Sequence, residues 1–115
     1  MLTFITNCLN GSQSGPKVEL SQDEIHHLLQ NSRRREVVRA LNEHARLSKR
    51  ELIAHVCEEE YGRPVEEVHS AERQCVAVSL HQCHLPKLED HEVVVKHHNE
   101  YEITEKGKEL ATFLI

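Results

Sequence analysis

Tryptophan is absent, and the aromatic residues amount to Phe4, Tyr61, Tyr101 and Phe113. That scarcity argues against single-stranded nucleic-acid binding, which draws on bases stacked over aromatic rings. Glycine occurs four times and proline three times, which leaves little material for a catalytic loop. No G-x-S-x-G, glycine-rich phosphate loop or H-E-x-x-H is present, so neither an enzyme nor a cofactor site is expected. No apolar run approaches the roughly 18 residues of a membrane span, and residues 1–9 lack the basic flank of a secretory signal. The four cysteines, Cys8, Cys57, Cys75 and Cys83, include no C-x-x-C pair. They read as reduced thiols of a cytoplasmic protein, three of them small apolar fillers on helices.

What is present suffices to fold. Leu, Ile, Val and Phe make up about 27% of the 115 residues, above the roughly 20% below which disorder is expected, and this length supports one domain. Residues 1–19 end in a Gly/Ser/Pro-rich linker and form a tail; residues 2–9 are compatible with a strand, a short helix or a frayed end. The domain is assigned to residues 20–115.

Ser21 and Glu24 form a capping box ahead of Ile25, Leu28 and Leu29, whose spacing predicts a short amphipathic helix over 22–30. Ser32 can cap a second helix over 33–44, with Val37, Val38 and Leu41 on its buried stripe. Ser48 and Glu51 form another capping box, opening a helix over 49–60 that Gly62 and Pro64 stop. Ser70 can cap a fourth, carrying Arg73, Val76, Val78, Leu80 and Cys83. Pro86 then requires either a kink near residues 82–85 or a new turn, because proline removes a donor and clashes with the carbonyl four residues back. From Val93 the period changes to that of a hairpin with its tip near His98-Asn99. Thr104 caps a last helix over 105–114, weakened by Gly107. A short strand near Leu47 can add a third member to the sheet.

The order predicts a mainly α chain with a small β-hairpin, an α+β winged helix-turn-helix. The major groove of DNA, about 12 Å wide, admits one α-helix, and a hairpin beside it can reach the flanking backbone. The helix over 49–60 braces, the helix from Ala71 reads, and residues 93–103 form the wing. Four segments carry a resemblance: Leu20-Ser21-x-Asp23-Glu24-Ile25, Asn31-Ser32-Arg33-Arg34-Arg35, Pro64-Val65-Glu66-Glu67-Val68, and above all Ser79-Leu80-His81-x-Cys83-His84-Leu85-Pro86-Lys87-Leu88. Over residues 20–110 the chain resembles a haloarchaeal family of small, largely uncharacterised winged-helix domains, which implies that fold and a DNA-binding or regulatory role. More distantly, His84-Leu85-x-x-Leu88 with Val93-Val94, and then Thr104-x-x-Gly107, are similar to the recognition-helix end and the post-wing segment of winged-helix repressors. Two positions depart from the family: Glu92 stands where glycine is usual, and Ala77 and His81 replace common aromatics.

Charge placement bears on that role. The chain has 14 Lys+Arg against 19 Asp+Glu, a net of −5, which also suits a halophile, where counterion release contributes little to binding. Yet Ser32–Arg50 holds seven basic residues against Glu36 and Glu43. Lys49 and Arg50, at a helix N-terminus, are candidate phosphate contacts; Arg33, Arg34 and Arg35 lean towards intramolecular roles. Arg73, Gln74, Ser79, His81 and Gln82 are candidate base or phosphate contacts on the reader, Lys87 a backbone contact, and Lys96, His97 and His98 the wing's contribution. The expected function is a sequence-specific double-stranded DNA-binding regulator. Its homodimer would close through Phe4, Ile5, Phe113, Leu114 and Ile115, and no effector is identified. The alternatives are a protein-binding module using Glu58-Glu59-Glu60 and Glu66-Glu67, and a metal-responsive regulator using His81, Cys83 and His84 beside His91.

Overall fold

The computed structural model describes residues 20–114. The tail, with Phe4, Ile5 and Cys8, and the terminal Ile115 lie outside the described residues. The elements run α1 (Gln22–Leu29), α2 (Ser32–His44), β1 (Arg46–Ser48), α3 (Lys49–Tyr61), a short 3-10 turn (Val65–Glu67), α4 (Ser70–Ser79), a wide π turn (Leu80–His84), α5 (Leu85–Asp90), β2 (Val94–His97), β3 (Glu100–Ile103) and α6 (Glu105–Ala111), closed by a 3-10 turn (Thr112–Leu114). The three strands form one antiparallel sheet in the order β1-β3-β2. This is the expected α+β winged-helix arrangement, and the strand at Leu47 does join the sheet, pairing with Tyr101.

Local chemistry accounts for most boundaries. Ser21 Oγ accepts from Glu24 N–H at the start of α1, and both arms of the Ser48/Glu51 capping box are made at α3. Gly62 ends α3 in the left-handed region at φ 67°. Two caps shift by one residue from expectation. Asn31, not Ser32, caps α2, because its side chain accepts from the Arg33 and Arg34 amides. His69, not Ser70, caps α4, through an imidazole nitrogen that accepts from Ala71 N–H. In both cases the residue before the expected cap has a longer side chain able to reach the same orphan amides.

Pro86 is accommodated by neither a break nor a simple kink. Leu85 N–H bonds Leu80 O, five residues back, and the widened turn leaves room for the proline ring. The extra residue rotates the helix surface. His84, Leu85 and Leu88 turn inward to join Val76 and Leu80, while Cys83, expected on the buried stripe, is exposed. Val78 is 40% exposed, also outside the stripe. Of the three described cysteines Cys57 alone is a core filler.

The core gathers Leu28 of α1, Val37 and Leu41 of α2, Leu52 and Val56 of α3, the inner face of residues 76–88, Val93 with Tyr101 and Ile103 of the sheet, and Leu110 of α6. Glu92 takes φ 62° between α5 and the hairpin, so a left-handed turn that favours glycine is made here with a side chain in place. Gly107 is a close-approach glycine. An added Cβ would meet Val93 O and lie 2.6 Å from Ile103 Cγ1. Thr104 Oγ1, which caps α6 by accepting from Gly107 N–H, also donates to the backbone just ahead of β2, at Glu92 O and Val93 O.

Two substitutions test these backbone assignments by urea denaturation. Gly107→Ala lowers stability by about 1–3 kcal/mol through overpacking, although alanine is the better helix former. Glu92→Gly raises it by up to about 1 kcal/mol, because the left-handed turn no longer carries a Cβ.

Candidate nucleic-acid interface

A helix can read DNA only if one face is free. Along α4 and the π turn the exposed residues, beyond Ser70 at the first position, are Ala71, Gln74, Cys75, Val78, His81 and Gln82, with Cys83 at the margin. The first six recur at three- and four-residue spacing, one outward face. None of them is an acid, in a chain with 19 Asp+Glu. Glu72 sits on a flank, 3.6 Å from Arg63.

Other expected reader residues have structural duties. Arg73 is half-buried and donates to Val65 O at 3.2 Å, tying α4 to the turn before it. Ser79 Oγ accepts from Arg33 Nη1 at 2.9 Å and donates to Val76 O, so it too is removed from the contact set. Both lie about a quarter-turn or more from the outward face. Val78 and Cys75, absent from the expected contacts, stand on it; their signal was the same helical spacing.

The arginine run Arg33–Arg35 is scaffold. Arg33 holds Glu60 with two bonds, 2.7 and 2.8 Å, and keeps that carboxyl below its ordinary range. Arg34 is buried and donates to Leu28 O, His27 O and His84 Nδ1 at 3.0, 3.0 and 3.2 Å. Arg35 donates to Leu29 O. Among the described residues Arg39, Arg46, Arg63, Lys106 and Lys108 also pair with carboxylates. Lys49, Arg50, Lys87 and Lys96 have neither a carboxylate nor a carbonyl partner among these contacts. Lys87 Nζ lies 3.3 Å from His27 Nε2.

Lys49, Arg50 and Lys96 converge. With Ser48, His98, Asn99 and Tyr101 they line a cleft of about 420 Å³ between the start of α3 and the hairpin. Lys49 Nζ donates to His81 Nδ1 at 2.7 Å, linking the cleft to the outward face and leaving the ring's proton on Nε2. Lys96 lies over the Tyr101 ring, 6.0 Å from its centroid. His98 forms the exposed two-residue tip with Asn99, at φ 57°. His97 is instead turned to Glu102, 2.8 Å away, and is engaged within the hairpin. The first-turn amides of α3 do not form an open anion site: Lys49 N–H bonds Asn99 O, and Glu51 N–H bonds Ser48 Oγ.

The His81, Cys83 and His84 grouping does not assemble. His84 points into the core and its Nδ1 is occupied by Arg34, whereas His81 faces Lys49. Among the described residues no three His, Cys, Asp or Glu side chains converge on a metal position, and no helix is long and apolar enough to cross a membrane.

Burial, then Arg34, Arg33 and Lys87, hold His84 below the usual imidazole range, so it is neutral in the fold. The unfolded chain binds this proton near pH ~6.5 and the fold does not, so stability falls as pH drops below that value. The slope from this one group is at most about 1.4 kcal/mol per pH unit. In His84→Gln an amide oxygen can accept from Arg34 without titrating, and urea midpoints measured from pH 7.5 to 5.5 should lose that part of the slope.

Residues 26–104 match the family described as Domain of unknown function (DUF7344). No curated protein matches the chain, and no solved structure matches it.

Proposed function

The chain belongs to the DUF7344 family, whose description assigns no activity, and from the surface just described we propose that it is a sequence-specific double-stranded DNA-binding regulator of the cytoplasm. The observation that carries this proposal is the pairing of an acid-free outward helix face with Lys49, Arg50 and Lys96, cations without carboxylate partners among the described residues of an acidic chain. The face around Gln74 and Gln82 enters the major groove, and the two lysines and Arg50 sit where phosphates of the flanking backbone pass. Lys87 and His98 lie at the two ends of this surface as secondary contacts. The winged-helix fold supports the same docking, because its hairpin stands beside the reader.

A homodimer is part of this proposal, since one short helix reads one half-site. Phe113 is 55% exposed and lines a cleft of about 430 Å³ with Gln22, Asp23, Ile25 and His26, on the side formed by α1 and the C-terminal turn. The protein-binding alternative has less support, because Glu60 of its acidic cluster is already engaged by Arg33.

Fluorescence anisotropy on a labelled duplex of the protein's own upstream region, titrated across salt, tests the proposal. Lys49→Glu and Lys96→Glu should each weaken binding at least tenfold and flatten the slope of log K against log salt by about one or more. Unchanged binding in both variants, or equal affinity for scrambled duplex at every salt concentration, overturns it. Phe113→Glu should shift sedimentation towards the monomer while leaving the urea midpoint of the monomer within about 0.5 kcal/mol, as for other surface changes.

A further inference from the structure

Val78 occupies the middle of the outward face at 40% exposure, with Gln74 and Gln82 one turn to either side and both exposed. Solvent-facing helix positions in a chain with 29% charged residues would ordinarily carry Lys, Arg, Asp or Glu. Here the centre is apolar and its neighbours are neutral amides. Gln presents an acceptor and a donor side by side, the pattern that matches adenine N6 and N7 in the major groove, whereas an apolar side chain matches the thymine C5-methyl. A rise of about 1.5 Å per residue places Val78 about 6 Å along the axis from each glutamine, under two base-pair steps of about 3.4 Å. His81, held by Lys49 with its Nε2–H outward, adds a donor at the edge of this row.

We propose that the centre of the reading helix selects A·T base pairs, with Val78 packed on a thymine methyl and Gln74 or Gln82 bonded to an adjacent adenine. This specificity rests on the DNA-binding function proposed above and deepens it. Arg, the usual partner of guanine O6 and N7, is absent from the outward face, and Arg73 is held by Val65 O.

The test begins with selection of the full chain against a random-sequence duplex pool. The bound duplexes should be enriched in a short A·T core. Each thymine of that core is then replaced by uracil, which removes the methyl and keeps pairing and phosphates unchanged. At one position the wild-type protein should bind about fourfold more weakly, the fold-change equivalent of about 0.8 kcal/mol for one buried methyl-sized group. Val78→Ala should lose a similar factor on the thymine duplex and show no further loss on the uracil duplex, a coupling that a double-mutant cycle isolates. Val78 is exposed and alanine is a good helix former, so this variant folds; a circular-dichroism melt checks it. Enriched cores without A·T pairs, or an equal uracil effect in wild type and Val78→Ala, would each overturn the A·T selection while leaving the proposed function intact, whereas binding without any enrichment would overturn both. Failure to retain any duplex would overturn the DNA-binding function itself, and this inference with it.

Discussion

A buried arginine with no carboxylate partner organises this fold. Arg34 is 6% exposed, and a charge so placed is costly unless its donors are matched. They are matched by His27 O and Leu28 O at the end of α1 and by His84 Nδ1 in the π turn. The last carbonyls of a helix are the negative end of its dipole, so they suit a cation, and an eight-residue helix needs such tertiary support to persist. Arg34 thereby joins α1, α2 and the π turn at one point. Arg33 adds a second point, Ser79, and braces it on Glu60 of α3. Two neighbouring arginines therefore fix the rotation of α4 and the π turn about their axis, which decides the side chains that face outward.

That rotation and the charge distribution act together. Most cations of this acidic chain are committed inside the molecule, to carboxylates or to helix carbonyls. Among the described residues, Lys49, Arg50 and Lys96 line one cleft beside the outward face, where Lys49 touches His81 and Lys96 stands over Tyr101. A local positive field beside a neutral helix face can attract phosphate although the net charge is −5. Net charge describes the whole surface, and docking depends on the part within about one Debye length of the ligand.

The element order was legible in the sequence because its signals are local. Capping pairs at Ser21/Glu24 and Ser48/Glu51, the stop at Gly62, and the change of period at Val93 each act within a few residues. The site was legible only in part. Gln74, His81 and Gln82 face solvent and Lys49, Arg50, Lys96 and His98 line one cleft, whereas Arg73 and Ser79 have structural partners. Periodicity locates a helix face only up to a rotation. The π turn forced by Pro86 changes the count, so a stripe extrapolated through it puts Cys83 inside and leaves His84 out.

Gly107 shows the same division. Its helix propensity marks it as a weak position in α6, and local chemistry supports that much. The reason for glycine is the Val93 carbonyl, just ahead of β2, and the Ile103 side chain, which the chain brings there only on folding. Helices, strands and their ends followed from short-range steric and hydrogen-bonding preferences written along the chain. Which cations were neutralised, and which helix face was left to solvent, depended on contacts between residues such as Arg33 with Ser79 and Arg34 with His84. Those pairs are 46 and 50 positions apart, distances over which no local preference carries information.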